Sequence, residues 1–267
     1  FSPKEFSTPG TYNTAGSVSK AMTDAAASTP GSTLIAVEPI TVLGNVFLHL
    51  HPARLPKHAV KVGYTWCMGG LSFFLFVVLT ITGILLMFYY RPTVEYAFTD
   101  IIDLGEQVPL GIMREIHRWG AHSMVLTTWL HMLRVFMTGS YKPPREFNWA
   151  VGVILMTLTL LLSFTGYLLP WDQLAIWAVT VGSNMARATP FLGHEGPGAS
   201  LLAIGDVNLV HSGSDVRFAL LGGRFVGEAT LLRFYVLHCI AVPFIAMIFM
   251  AVHFWRIRKD GGISGPL

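Results

Sequence analysis

The sequence predicts an all-α membrane protein in which four transmembrane helices form a bundle. Two observations come from composition: hydrophobic residues make up 52% of the 267 residues, and charged residues make up only 12%. Soluble domains carry about 25% charged residues, so a water-soluble globule is excluded, and the apolar content excludes a disordered chain. The third observation is a set of four apolar stretches, each long enough to cross a bilayer.

The four stretches are supported by different features. The predicted spans are residues 66–90, 117–139, 149–169 and 234–255. The first contains no charged residue, and the second is free of charge only between Arg118 and Arg134. The third stops before Pro170, because a helix interior does not tolerate proline. The fourth is followed by a basic cluster, which consists of Arg256, Arg258 and Lys259.

The chain is predicted to have two parts. Residues 1–54 are rich in Ser, Thr, Gly, Ala and Pro and are expected to form a flexible N-terminal extension, without the apolar core of a signal peptide. Residues 55–267 form the predicted four-helix domain, with a long loop between the third and fourth helices. The two cysteines, Cys67 and Cys239, are too few for a disulfide framework. The net charge of +3 is too small to indicate a nucleic-acid partner.

Basic residues beside the spans indicate the orientation, because they favour the cytoplasmic side of a membrane. If the spans cross in turn, three basic clusters fall on one side: Arg54, Lys57 and Lys61; Lys142 and Arg145; and Arg256, Arg258 and Lys259. The loops on the other side carry acidic residues. We therefore predict a multi-pass protein surrounded by membrane lipid. Both termini are expected on the negative, cytoplasmic side.

Two of the predicted spans carry two histidines each, His117 and His131 in the second, then His238 and His253 in the fourth. At about 100° per residue, 14 steps end about 40° short of a whole turn and 15 steps about 60° past one, so each pair lies on roughly one face. The two spans run in the same direction. His117 is therefore predicted to face His238 near the positive side, and His131 to face His253 near the negative side.

Paired imidazoles at two depths in a bilayer indicate two haems b, each with two histidine ligands to its iron. With both axial positions filled, such haems carry electrons and leave no open position for oxygen or substrate. Two alternatives stay open. A single histidine often forms a hydrogen bond between membrane helices, and a transporter uses histidines to relay protons.

Arginines and glycines near these positions fit the same hypothesis. Haem propionates are anionic, so the neighbouring arginines are predicted to bind them near the membrane edge, with snorkelling toward lipid headgroups as the alternative. These arginines are Arg114, Arg118 and Arg134. Gly83 and Gly166 lie in the first and third spans, where the lack of a side chain lets a porphyrin approach the backbone. Close helix packing is the alternative for both glycines.

Several ordered motifs occur between residues 55 and 267. They are His117-Arg118-Trp119 followed by His131, Lys142-Pro143-Pro144-Arg145-Glu146, Gly166-Tyr167-Leu168-Leu169-Pro170-Trp171-Asp172-Gln173, Leu232-Arg233-Phe234-Tyr235, and the ending Ile263-Ser264-Gly265-Pro266-Leu267. Together they resemble the cytochrome b family, and the ending and the 15-residue histidine interval are similar to its cytochrome b6 type. The resemblance implies that Pro170, Trp171, Asp172 and Gln173 cap a quinol-oxidation pocket.

The segment Trp66-Cys67-Met68-Gly69-Gly70 is similar to a Cys-x-Gly-Gly segment of cytochrome b6 and related bacterial proteins. In that group the thiol carries an extra haem through a single thioether bond, beside the negative-side haem b. The resemblance therefore implies a covalently attached c-type haem at Cys67. A buried free cysteine is the alternative, since cysteine is commonly buried.

The resemblance also implies a function and a set of partners. The function is that of the cytochrome b subunit of a bc/b6f-type complex in an energy-transducing membrane, such as a bacterial inner membrane. Such a complex oxidises quinol on the positive side, reduces quinone on the negative side and translocates protons. Expected partners are a Rieske iron–sulfur protein, a c-type cytochrome or plastocyanin-like acceptor, and a second copy of the complex. A separate membrane subunit is expected to carry the Pro-Glu-Trp-Tyr element, which this sequence lacks.

Two further points follow from the resemblance. Arg258, Lys259 and Asp260 are the expected residues of the quinone-reduction side, and the loop at residues 190–228 looks longer than its b6 counterpart. The rival interpretation is a dihaem b membrane anchor of a dehydrogenase or hydrogenase. The Pro-Trp-Asp-Gln cap and the C-terminal motif argue against it.

Overall fold

The computed structural model describes residues 61–107 and 109–263. The predicted N-terminal extension, the basic residues Arg54 and Lys57, and the final motif from Ser264 onward lie outside the described residues. The helices in the described part are α1 (Val62–Thr65), α2 (Met68–Met87), α3 (Ala97–Glu106), α4 (Leu110–Met137), α5 (Glu146–Leu168), α6 (Gln173–Ala186), α7 (Val216–Leu221), α8 (Glu228–Val236) and α9 (Val242–Lys259).

Three helical stretches of the described part are long and apolar enough to cross a membrane. They are α2, α5 and the continuous run Glu228–Lys259, which joins α8 to α9. This result supports the prediction of an integral membrane protein. Helix α4 has 28 residues, enough for about 42 Å at 1.5 Å per residue. Because α4 also carries charged residues near both ends, its assignment as a fourth span stays a prediction.

The long helices pack in a pattern that brings the histidine-bearing helices together. Helix α2 packs along α4, where the Ser72 and Thr127 hydroxyls are 3.1 Å apart, and α5 packs along α9. Helix α4 also contacts α5, which links the two halves of the bundle. Large apolar side chains such as Phe74 and Ile81 stay exposed on the outer faces, as expected where a helix meets lipid.

The chain reverses direction directly after α5. Trp171 has a φ of 52°, in the left-handed region that non-glycine residues rarely adopt, and is only 7% exposed. The carboxylate of Asp172 then accepts a 2.8 Å hydrogen bond from the backbone N–H of Ala175 and caps α6. The predicted stop at Pro170 is therefore followed by a helix, α6, that the sequence analysis did not foresee. Buried Leu168 packs against α6 beneath this turn.

The segment between α6 and α8 is more structured than the predicted loop. It contains a short antiparallel hairpin of β1 (Ala203–Ile204) and β2 (Val207–Asn208), in which Ala203 pairs with Asn208 and Ile204 with Val207. The helix α7 follows and buries Leu221 against α6 and α8. The prediction of an all-α protein is therefore right for most of the described chain but misses this hairpin. Its strands have only two residues each, too few to show a strand pattern in the sequence.

Asp215 joins the two ends of this segment. Its carboxylate accepts hydrogen bonds from His194 and, at 2.8 Å, from the backbone N–H of Phe218 at the start of α7. Burial raises the pKa of the Asp215 carboxyl, but the hydrogen bonds from Phe218 and His194 outweigh it, so the pKa lies below its usual range. The side chain is 1% exposed.

We expect Asp215→Ala to destabilise this segment by about 1 kcal/mol, the usual contribution of a helix N-cap. Because the pKa of Asp215 is lowered on folding, its stabilisation is complete above the unfolded-state pKa of about 4 and is lost as the pH falls below that value. Hydrogen exchange of residues 191–221 at several pH values measures both effects. Asp215→Asn keeps the capping oxygen and is the matched control, with a smaller loss at neutral pH and no acid-dependent step. Equal exchange in all three proteins would contradict the assignment.

Candidate cofactor site

The four histidines of the sequence pattern lie in two facing pairs. The ring centroids of His117 and His238 are 6.3 Å apart, and those of His131 and His253 are 6.5 Å apart, with interplanar angles of 76° and 80°. Two bonds of about 2 Å between a metal and an imidazole nitrogen, together with the half-widths of two rings, add up to roughly this separation. Each pair is therefore spaced to hold one metal ion between its rings.

A π-helical turn at Leu237–Ala241 brings the two unequal histidine intervals into register. Such a turn holds one more residue than an α-helical turn, because its hydrogen bonds span five residues. The 15-residue interval from His238 therefore reaches as far as the 14-residue interval on α4. Pro243 supplies a cause: it has no N–H to donate to the Cys239 carbonyl four residues earlier.

Two glycines give the His117 and His238 rings room against the neighbouring helices. A Cβ atom built on Gly83 would lie 3.1 Å from Cε1 of His117, and one built on Gly166 would lie 2.6 Å from Cε1 of His238. The second distance is shorter than real Cβ contacts. The structure thus places both sequence-predicted glycines against the histidine rings, and their contribution to haem packing stays a prediction.

Two further glycines, which the sequence analysis missed in this role, take the equivalent places at the other pair. A Cβ on Gly69 would lie 3.2 Å from Cε1 of His131, and one on Gly152 would lie 3.9 Å from Cε1 of His253. Each lies 14 residues before its counterpart, Gly83 in α2 or Gly166 in α5. That interval equals the histidine interval of α4, so these two glycines could have been predicted from the sequence.

The Nδ1 atoms of the His117/His238 pair meet threonine hydroxyls. The Oγ1 atom of Thr82 lies 2.9 Å from Nδ1 of His117, and the Oγ1 atom of Thr165 lies 3.2 Å from Nδ1 of His238. Both threonines are buried, and each directly precedes one of the glycines, Gly83 or Gly166. Sequence reasoning gave no reason to select them, because threonine is common in membrane helices.

The two imidazoles at each pair fit a metal ion whose remaining ligands come from a cofactor. Within residues 61–107 and 109–263, no group of three or more His, Cys, Asp or Glu side chains is placed to hold an ion. Each histidine pair offers two nitrogen ligands on opposite sides, which suits an iron whose other ligands form a plane, as in haem.

The predicted propionate partners are placed differently from one another. Arg114 and Arg118 both pair with Glu115, at 3.3 Å in the first case, and Arg118 also lies over the Trp119 ring. Arg134 is half-buried in the last turn of α4, close to the His131 end of the helix. The sequence analysis did not foresee the role of Glu115 as a shared partner. The binding of propionates by these arginines stays a prediction.

The predicted cap residues form a compact turn. Trp171 packs with Tyr90, Ala97 and Leu231 below Pro170, and the Tyr90 hydroxyl donates a 2.6 Å hydrogen bond to the carbonyl of Leu169. Gln173 begins α6 and is exposed. The turn is thus rigidly held, while its part in quinol oxidation stays a prediction.

The predicted quinone-reduction residues lie where α9 ends. The Asp260 carboxylate pairs with Arg256 at 2.8 Å, and its backbone carbonyl accepts a 3.1 Å hydrogen bond from Arg145. Lys259 lies over the Trp255 ring, and Arg258 is half-buried. The ion pair between Arg256 and Asp260 was not predicted from the sequence, which indicated Arg256 only as part of the basic cluster after the fourth span.

Cys67 lies at the end of the bundle that holds the His131/His253 pair. It directly precedes α2, has a φ of 49°, and is exposed, so the alternative of a buried free cysteine does not describe it. Gly69, two residues later, lies against the His131 ring. An exposed thiol beside this pair suits covalent attachment of a further cofactor, which stays a prediction.

The comparisons with known proteins agree with this geometry. Residues 55–196 and 207–261 match the family described as Cytochrome b/b6/petB. Cytochrome b6 of Heliomicrobium gestii is 39% identical over 226 residues, which cover 84% of this chain and 95% of that protein. Cytochrome b6 of Acaryochloris marina is 41% identical over 214 residues, covering 80% and 88%.

A solved structure titled "Hyperthermophilic respiratory Complex III" contains a chain that is 28% identical, with a TM-score of 0.63. The match covers 76% of this chain and 49% of that chain, so this chain spans about half of its length. The apolar helices and the facing histidine pairs agree with the class of membrane cytochromes. The chain belongs to the cytochrome b/b6 family, and membership in that family implies the binding of haem b.

Proposed function

We propose that this chain is the cytochrome b subunit of a bc/b6f-type quinol oxidoreductase complex. The observation that carries the proposal is the pair of facing imidazole couples, His117 with His238 and His131 with His253. Within α4 the two couples are separated by 14 residues, or about 21 Å along the helix axis. This distance covers most of the hydrocarbon layer of a bilayer, which is about 30 Å thick.

In this proposal His117 and His238 would hold one haem b, and His131 and His253 would hold a second. Haem b bound in this way supplies one-electron transfer between the two sides of the membrane. The chain itself supplies the alignment of the two pairs, the glycine surfaces against which they pack, and the arginines that bind anionic groups at the edges. Moving one charge against 100 mV costs about 2.3 kcal/mol, which the oxidation of quinol must provide.

We place the two quinone reactions at opposite ends of the bundle. Quinol oxidation belongs beside the turn at Pro170 to Gln173, on the positive side, and quinone reduction belongs near Arg258, Lys259 and Asp260, on the negative side. The positive-inside distribution of basic residues supports this orientation, with both termini on the negative side. Half-buried Arg258, exposed Lys259 and the carboxylate of Asp260 suit binding of a polar quinone head and uptake of protons.

The proposal includes the partners that this reaction needs. A membrane subunit with the Pro-Glu-Trp-Tyr element completes the quinol pocket, a Rieske iron–sulfur protein takes one electron, and a c-type cytochrome receives it. In this proposal the element belongs to a separate subunit, as the resemblance to the cytochrome b6 type implies. The complex is proposed to be a homodimer.

A pyridine haemochrome assay tests the proposal together with a Cys67→Ser variant. We expect the purified protein to release two haems b per chain and to retain one more haem that stains on a denaturing gel, because thioether bonds survive denaturation. The variant should lose the staining and keep both extractable haems. Cys239→Ser is the matched control and should keep all three. The absence of any haem band would favour a histidine-based proton transporter, while covalent haem in the Cys67 variant would refute the attachment site.

The dihaem anchor of a dehydrogenase or hydrogenase is distinguished by turnover. A preparation of the intact complex should oxidise a quinol with concomitant reduction of a soluble c-type cytochrome, and the reaction should require the Rieske protein. Two haems b with no quinol–cytochrome activity, and copurification with a dehydrogenase subunit, would support the anchor.

A further inference from the structure

The two histidine pairs differ in what surrounds their Nδ1 atoms. At the first pair, His117 and His238 each meet a buried threonine hydroxyl, from Thr82 and Thr165. At the second pair, Nδ1 of His253 is buried and meets no hydroxyl, although the backbone of Asn148 interacts with this ring, and none of the hydrogen bonds among the described residues includes His131. The asymmetry therefore separates two sites that are otherwise closely similar.

The sequence around the glycines shows the origin of this asymmetry. Thr82 precedes Gly83 and Thr165 precedes Gly166, so both helices carry a Thr-Gly step at the first pair. The residues that precede the glycines of the second pair are Met68 and Val151, neither of which has a hydroxyl. The hydroxyls thus come from equivalent positions on α2 and α5.

The direction of the hydrogen bonds is set by the threonines' other contacts. The Thr82 hydroxyl lies 2.8 Å from the carbonyl of Val78, and the Thr165 hydroxyl lies 2.8 Å from that of Leu161, and carbonyls can only accept. A hydroxyl has one hydrogen, so once it donates that hydrogen to the carbonyl it can only accept from the imidazole. The Nδ1 atoms must then carry the ring hydrogens, and for His238 the carbonyl of Leu162, 3.1 Å from the same Nδ1, requires this as well. This tautomer leaves the Nε2 lone pair of each ring free to bind a metal.

We propose that Thr82 and Thr165 are positioning residues that accept the Nδ1 hydrogens of His117 and His238, the latter shared with the carbonyl of Leu162, and that they make the haem between these rings harder to reduce than the other haem. The inference rests on the proposed function. An imidazole that donates its second N–H is a more basic ligand, and a more basic ligand stabilises the oxidised, more positive iron. Because only the first pair has hydroxyl acceptors, electron transfer from the first pair to the second is favoured.

The test is a redox titration of the intact complex, read from the optical bands of the two haems and from the low-spin signals of the ferric irons. In Thr82→Val and Thr165→Val, we expect the haem with the lower midpoint potential to shift to a more positive value, with a larger shift in the double variant. The other haem should titrate as in the wild type. Thr82→Ser retains a hydroxyl and should restore the wild-type potential.

Two threonines on the same helices provide matched controls. Thr80 and Thr157 also donate to carbonyls four residues earlier, at 2.8 and 3.0 Å, but neither contacts a histidine. Thr80→Val and Thr157→Val should therefore change neither potential. Selective loss of one haem in the valine variants, with retention in Thr82→Ser, would also support a positioning role. Unchanged potentials, equal shifts of both haems, or the same shift in the controls would overturn it.

The result separates this inference from the proposed function. A wild-type protein with two bis-histidine haems but no response to Thr82→Val or Thr165→Val would contradict only the role of the threonines. A wild-type protein without haem would contradict the proposed function itself.

Discussion

Replacing Gly166 with alanine is expected to remove the haem held by His117 and His238, so that the extractable haem b per chain falls by about half. The added Cβ would lie 2.6 Å from the His238 ring, and this ring cannot swing away while its Nδ1 is bonded to Thr165 and the carbonyl of Leu162. Alanine favours a helix over glycine by about 1 kcal/mol, so a weakened α5 would not explain the loss.

The other glycines give this prediction a graded form. Alanine at Gly83 or Gly69, where the added Cβ would lie 3.1 or 3.2 Å from a ring, should lower haem content less than alanine at Gly166. Alanine at Gly152, with 3.9 Å, should have the smallest effect. Gly70 is the matched control, because it follows Gly69 in α2 and a Cβ there would meet nothing within 4 Å. Haem loss in Gly70→Ala, or a series in another order, would contradict the steric explanation.

Deleting Ile240 from the π-helical turn is expected to leave both haems in place. The deletion shortens the interval between His238 and His253 to 14 residues, the same as in α4, and the turn can then close as ordinary α-helix. Ile240 is 56% exposed, so few packing contacts are lost. Haemochrome assays and the visible spectrum of the purified variant measure the result.

The control for the deletion is a one-residue insertion in α4, which contains no π-helical turn. One alanine added after Leu126, which is 57% exposed, changes the interval within α4 to 15 residues and turns one histidine by about 100° relative to the other. We expect this variant to lose at least one haem. If the deletion abolished haem binding while the insertion left it intact, the π turn would not be what matches the two intervals.

The histidine pairs could be read from the sequence because helical geometry relates positions within one element without knowledge of the rest. Spacing alone placed His117, His131, His238 and His253 on two faces, and the structure sets those faces opposite each other. The boundaries of α2 and α5 also followed from long apolar runs. The π turn was not predictable from periodicity, since one extra residue in a helix has no compositional signature.

Other features depend on contacts between distant segments. The pairing of Glu115 with Arg114 and Arg118 requires particular side-chain rotamers, and that of Arg145 with the Asp260 carbonyl joins residues 115 positions apart. The roles of Thr82 and Thr165 could not be predicted for a similar reason. Their hydroxyls contact imidazoles that belong to neighbouring helices, and the sequence of one helix does not show such a contact. Helices α6 and α7 begin at capping carboxylates, Asp172 and Asp215, whose role as N-caps was not predicted from the sequence.

The hairpin between α6 and α7 has a practical consequence. Residues 197–206 fall outside the stretches that match the family, and the backbone bond of 2.9 Å between Val216 and Leu192 closes the segment behind them. The tip of the hairpin, around Asp206, is exposed, and the bond between Val216 and Leu192 does not involve the residues of the tip. An affinity tag or a spectroscopic label inserted there would allow purification or detection while leaving the histidine-bearing helices undisturbed.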